Sequence, residues 1–323
     1  MNNDNSKAIM ILCSQLGASD EIKPYTTSQW SKLADQLMEI GAEPKELLNF
    51  NRADCKTILS YDEEQTDRFL RLLDRSASLS FQISDYENSG ISIITRADRE
   101  YPIFLKRRLK KLCPPLFYCA GDPTLFRHYC IGFAGSRNVD SEDIEFTVTM
   151  AQKAIENQYA IVSGGAKGID STATAAALQN NGQVIEYLSD SLLKKLKDRH
   201  TIQSIQDGFL LLASAFNPDT GFNVGNAMAR NKYVYAQSES TIVVKADLNK
   251  GGTWSGADEG IKKKWCPVLC RKKETYPGNM ELIKKGAIPI DTNWDGMACK
   301  LEEKQEPIPV QSSLFGIEDK SEE

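Results

Sequence analysis

Three short stretches of this chain carry the residue types that hold an anion. Gly135-Ser136-Arg137 follows the apolar run 130–134 and precedes a segment that opens with Ser141, Glu142 and Asp143. The glycine permits a tight turn, the serine offers a hydroxyl, and the arginine presents a planar fork of donors matched to phosphate. Ser163-Gly164-Gly165-Ala166-Lys167-Gly168-Ile169-Asp170 follows the run 160–162 and leads into an alanine-rich stretch, 171–178. Glycines at this density let backbone N–H groups approach an anion at a helix N-terminus, and Lys167 adds a point charge beside them. Arg230-Asn231-Lys232 reads as a turn between a glycine-bearing loop and the next strand, with Lys250-Gly251-Gly252-Thr253 as a related turn after the run 241–246. Two cations around an asparagine suit phosphate and base-edge contacts. Each stretch alone also reads as glycine packing or as a solvated helix end, so the inference rests on their convergence.

Other chemistries find little here. Neither GxxxxGK[ST] nor GxGxxG occurs, so the glycine-rich turn is not a P-loop or a dinucleotide fingerprint. His128 and His200 are the only histidines, neither lies in one of the three turns, and GxSxG and HExxH are absent. Asp170 reads as a helix N-cap rather than an acid or base. Eight cysteines (Cys13, Cys55, Cys113, Cys119, Cys130, Cys266, Cys270, Cys299) are scattered without a CxxC pair, which favours buried reduced thiols over disulfides or a zinc site. No catalytic residue, cofactor or metal is expected.

The elements that must position these turns are legible as alternation. Apolar runs at 130–134, 160–162, 184–188, 209–212, 241–246 and 267–270 alternate with stretches of helical spacing, such as Ile144, Val148, Ala151 and Ile155. That pattern predicts a mostly parallel α/β sheet, doubly wound, with helices on both faces. Ligands of such sheets bind outside the carboxyl ends of the strands, where all three turns fall. Before the sheet, Trp30, Leu33, Ala34, Leu37 and Met38 mark a small helical domain, and Pro114-Pro115 introduces an extended segment. The expected division is a helical domain at residues 1–85, the α/β domain with its lead-in at 86–296, and a flexible acidic tail at 297–323.

The 323 residues are 41% apolar, enough for a packed core, and no apolar run approaches the roughly 20 residues of a membrane span. A cytoplasmic protein without membrane contact is expected. A net charge of −5 argues against indiscriminate coating of nucleic acid, although basic clusters stand at 106–111, 194–199 and 262–264.

Taken in order, the pieces resemble the DprA/Smf family of DNA-processing proteins over residues 90–290. The resemblance runs through Tyr101-Pro102 with Leu105, Pro114-Pro115-Leu116-Phe117-Tyr118 with Gly121, and Gly135-Ser136-Arg137. It continues through the turn from Ser163 to Asp170 with Ala177-Leu178, Arg230-Asn231-Lys232, and Leu282-Ile283 with Gly286-Ala287. It implies an extended Rossmann-like domain that binds and protects single-stranded DNA in a basic pocket, forms a homodimer, and loads RecA in DNA uptake, recombination or defence against phage and mobile elements. Carried onto this sequence, Ser136, Arg137, Ser163, Lys167, Arg230, Asn231 and Lys232 would bind the strand, with Gly135, Gly164, Gly165 and Gly168 shaping the pocket. The chain departs from the family at Thr174, where histidine is usual, at Lys245, where an acid is usual, and at Gly251-Gly252-Thr253-Trp254, which replaces a more serine-rich turn.

Two further expectations concern partners and rivals. Gln311-Ser312-Ser313-Leu314-Phe315 resembles the short peptide by which bacterial proteins dock on the DNA sliding clamp, with Leu314 and Phe315 as anchors. The alternative on the same broad fold is a nucleotide sensor or an enzyme resembling phosphoribohydrolases. The PGGxGTxxE turn of those enzymes is missing, and Gly251-Gly252-Thr253 is its nearest echo.

Overall fold

The computed structural model describes residues 3–16 and 22–299. The chain divides into two units: one runs up to Tyr101 and takes in Lys111–Phe117, the other joins Pro102–Lys110 to the chain from Tyr118 on.

The first unit is helical. The Thr27–Glu39 helix opens with a capping box, in which Thr26 and Gln29 each satisfy the other's backbone N–H. Its apolar residues at three- and four-residue spacing, Trp30, Leu33 and Leu37, are buried, as are Ile9 and Leu12 of the Asp4–Cys13 helix and Phe69 and Leu72 of the Glu63–Asp74 helix. Arg75 closes the end of the Asp4–Cys13 helix. Its guanidinium donates to the carbonyl of Ile11 (3.0 Å) in the last turn of the helix, and to those of Ser14 (2.8 Å) and Leu16 (3.0 Å) just beyond it.

The second unit is built on the expected α/β sheet. The first unit also holds the short strand β1 (Ser92–Thr95) and the start of β2 (Leu116–Ala120); the second unit holds the rest of β2 with β3 (Cys130–Ala134), β4 (Ala160–Ser163), β5 (Val184–Tyr187), β6 (Leu210–Ser214), β7 (Ser240–Val243), β8 (Val268–Arg271) and β9 (Ile288–Ile290). In the second unit the order is β2-β6-β5-β4-β3-β7-β8-β9. From β6 to β9 every neighbouring pair is parallel, and β2 joins β6 antiparallel. Strands β4 to β8 are buried along their whole length, as expected for a sheet covered on both faces.

The topology fixes where a ligand can bind. From β3 the chain winds outward through β4, β5 and β6, then returns to β7 on the other side of β3 and winds the opposite way. The strand order therefore reverses between β3 and β7, and the crevice above their carboxyl ends is the binding position of doubly wound sheets.

None of the eight cysteines forms a disulfide, and all but Cys299 are buried. Burial pushes the thiols of Cys130 and Cys270 up to about 12, so they remain protonated and pack as small apolar groups. No helix among the described residues is long and apolar enough to cross a membrane.

Candidate nucleic-acid interface

The crevice at the reversal point is a cavity of about 420 Å3. Its wall begins where β3 ends. Ser136 N–H donates to the Lys245 carbonyl (3.0 Å), fastening the Gly135-Ser136-Arg137 turn to the chain beyond β7, and Ser136 Oγ accepts from Asn138 N–H (3.0 Å). Thr253 Oγ1 donates to the Gly135 carbonyl (2.9 Å) and ties in the Gly251–Lys263 helix. Arg137 is left exposed at the rim, its guanidinium 5.1 Å from the centre of the Phe222 ring.

The glycine-rich turn after β4 differs from its sequence reading at Asp170. Asp170 is not the N-cap of the Ile169–Gln179 helix; that position belongs to Gly168, at φ +83°. The Asp170 carboxylate instead turns back into the loop, where Oδ2 accepts from Gly164 N–H (3.1 Å) and Ala166 N–H (3.5 Å). The amide cradle that could have held a phosphate is thus occupied by an anion of the protein itself. Burial raises the Asp170 carboxyl to about 6, opposed by the nearby Arg230 and by the two amides.

The glycines of the turns after β3 and β4 leave no room for a side chain. A Cβ at Gly164 would overlap the Arg230 guanidinium, one at Gly135 would overlap Ile169, and one at Gly168 would overlap the Ser136 carbonyl. They permit the close approach of backbone to neighbouring groups that only glycine allows.

Arg230-Asn231-Lys232 is not a turn but the middle of the Val224–Gln237 helix, so its side chains leave about 100° apart. Arg230 points inward, 4% exposed, and its Nη1 donates to the Tyr187 carbonyl (2.7 Å). Burial lowers its pKa, opposed by the fields of Asp170, Glu186 and Asp190, and its Nε has no hydrogen-bond partner. Asn231 braces the next helix through the Gly252 carbonyl (2.9 Å). Lys232 lies away from the cavity, with its Nζ 5.4 Å from the Tyr233 ring centre.

Of the expected site residues, the cavity gathers Gly135, Ser136, Arg137, Gly164, Arg230 and Asn231. Ser163 is fully buried, its Oγ accepting from Gly165 N–H (3.3 Å), while Gly165, Lys167, Gly168 and Lys232 stand outside the lining. Lys167 is exposed on the same turn. Thr174, the departure from histidine, donates to Glu186 Oε1 (2.9 Å), a buried carboxylate that also pairs with Lys195 (3.3 Å). The expected set omitted Lys245, Lys250, Phe222 and Tyr235, all of which line the cavity. The two lysines had a usable signal, since each follows the end of a strand on the crevice side. Gln311, Leu314 and Phe315 lie outside the described residues. Among the described residues, no group of three or more His, Cys, Asp and Glu side chains could hold a metal ion.

The chain belongs to the family of DNA recombination-mediator protein A, whose model matches residues 92–300. It is 26% identical over 173 residues to the DNA processing protein DprA of Bacillus subtilis, covering 52% of this chain and 57% of that protein. It is 29% identical over 139 residues to the DprA of Streptococcus pneumoniae, covering 43% and 49%. The chain thus spans about half the length of the curated relatives it matches. Its fold matches the X-ray structure of the S. pneumoniae protein with a TM-score of 0.70 at 21% identity, over 90% of this chain and 95% of that one. A second solved structure, DNA processing protein A of Helicobacter pylori, matches with a TM-score of 0.51 at 28% identity, over 62% and 90%. That protein is described as having a single-stranded DNA-binding mode.

Proposed function

We propose that this chain binds single-stranded DNA across the mouth of the cavity, as a non-catalytic DNA-processing protein of its family. The observation that carries the reading is the exposed pair of cations, Arg137 and Lys250, that line a crevice at the sheet's reversal point. Phosphates on the strand would meet these two and Lys167. Arg230 lies too deep to be a backbone contact and supports the glycine turn from beneath. Its buried charge also biases the field at the mouth toward anions, against Asp170. The same proposal includes a homodimer in the cytoplasm that protects the strand and passes it to RecA.

Three phosphate contacts give a definite salt response. Log K for a labelled oligothymidine should fall with log salt at a slope of about −2, because each contact on a single strand contributes roughly −0.7. Arg137→Ala should weaken binding and flatten the slope by about 0.7. A flat salt response in the wild type, or mononucleotide binding without affinity for the strand, would replace this reading with that of a nucleotide-binding module.

A further inference from the structure

Phe222 stands apart from most of the aromatic residues of this protein. Among the described residues the exposed aromatic side chains are Phe81, Tyr129 and Phe222, and of these only Phe222, 56% exposed, lines the cavity. It sits at the end of the loop after β6, next to Asn223, which caps the Val224–Gln237 helix. Beside it on that helix, Val224 and Met228 are one turn apart on one face, 68% and 40% exposed, and both also line the cavity. The lip on this side of the mouth is therefore apolar and open to water, which is unfavourable unless something flat and apolar covers it.

The opposite feature lies within reach. The Arg137 guanidinium stands 5.1 Å from the Phe222 ring centre, so one side chain can face a phosphate while bordering the ring. A ring beside a phosphate-binding cation has the composition of a stacking platform for single strands, where base faces rest on aromatic side chains and cations track the backbone.

We infer that Phe222, with Val224 and Met228 as its apolar border, stacks one nucleobase of the bound strand while Arg137 holds an adjoining phosphate. This deepens the single-strand reading and rests on it. Stacking accepts every base, so the contact adds affinity without sequence preference.

The test compares oligothymidine with an abasic oligonucleotide of the same length, using wild type, Phe222→Ala and Phe222→Trp, by anisotropy across a salt series. Phe222→Ala should weaken oligothymidine binding by about tenfold, leave the abasic strand unaffected, and keep the salt slope of the wild type. Phe222→Trp should retain affinity and show quenching on adding oligothymidine beyond that of the wild type. Unchanged oligothymidine binding by Phe222→Ala would overturn the stacking role and leave the single-strand reading standing. So would equal weakening on the abasic strand, which would assign Phe222 to the positioning of Arg137. A change in oligomeric state on sedimentation, with DNA affinity intact, would assign the lip to a second copy of the chain. Failure of the wild type to bind oligothymidine at all would overturn both readings.

Discussion

Two buried aspartates, Asp143 and Asp170, stand on helices that follow adjacent strands, and their surroundings differ in kind. Asp143 closes a capping box with Asp140 and then collects cations: Lys245 (2.9 Å) and Arg271 (2.9 Å) pair with it, and the Tyr276 hydroxyl donates to it. Arg271 also pairs with Glu142, and Lys273 reaches Glu142 at 2.7 Å. Burial alone would raise the Asp143 carboxyl, but the donors from Tyr276, Lys245 and the Asp140 backbone outweigh it and hold the pKa below the ordinary value. Asp170 accepts two backbone amides and has the field of Arg230, yet burial wins and the carboxyl rises to about 6. Arg230 and Tyr235, which share its cavity, each keep one buried polar atom without a partner. Polar satisfaction is complete around Asp143, where the charges hold elements together, and incomplete around Asp170, where the wall faces a cavity. Trp30, Thr66 and Arg96 of the first unit also hold such unpartnered atoms, but among the described residues of the second unit Arg230 and Tyr235 are the two that do, which is what a binding site imposes on the interior around it.

Removing Asp143 should have the largest effect on the molecule. Asp143→Ala strips the shared acceptor from Lys245, Arg271 and Tyr276 and leaves buried charge uncompensated, which costs about 3–5 kcal/mol. Urea unfolding monitored by far-UV circular dichroism measures it. A loss below about 1 kcal/mol would show that solvent replaces these contacts, and the contrast with Asp170 would collapse.

The fold was legible because burial on both faces writes itself as apolar runs. β3 was expected at the residues it occupies and β4 to β8 within a few residues of theirs, whereas the short edge strand β9 was not expected. The site was less legible, because the residue types that hold a ligand also hold a loop. Gly164 and Gly168 mark close approach in either case, and only the fold reveals that the approaching groups are the Arg230 guanidinium and the Ser136 carbonyl. Arg230-Asn231-Lys232 reads as a turn because asparagine and the nearby glycines are weak helix formers. Tertiary burial of Val234, Tyr235 and Arg230 itself overrides that preference and turns the arginine inward. Phe222 offered no periodicity to notice, being a single exposed ring in an irregular loop. Its meaning depends on the cation opposite, which comes from a segment 85 residues earlier in the sequence.

The smaller effect is the one that separates the two aspartates by sign. Asp143, with its pKa depressed, contributes stability that is present above the ordinary carboxylate range and is lost as pH falls through its lowered value. Asp170 does the reverse. Its native pKa of about 6 lies above the 3.8 of an unperturbed aspartate, so the native state binds the extra proton between these values, and the group's contribution is present below about 4 and lost as pH rises through 6. Asp170→Asn keeps an oxygen to accept from Gly164 and Ala166 but does not titrate. The stability of the wild type relative to this variant should therefore fall by about 2–3 kcal/mol between pH 4 and pH 7, since one pKa unit is worth about 1.4 kcal/mol. Urea denaturation of both proteins across that range provides the measurement. A difference that stays level with pH would mean that Arg230 compensates the Asp170 carboxylate fully, and that the cavity wall is as well paired as the Asp143 cluster.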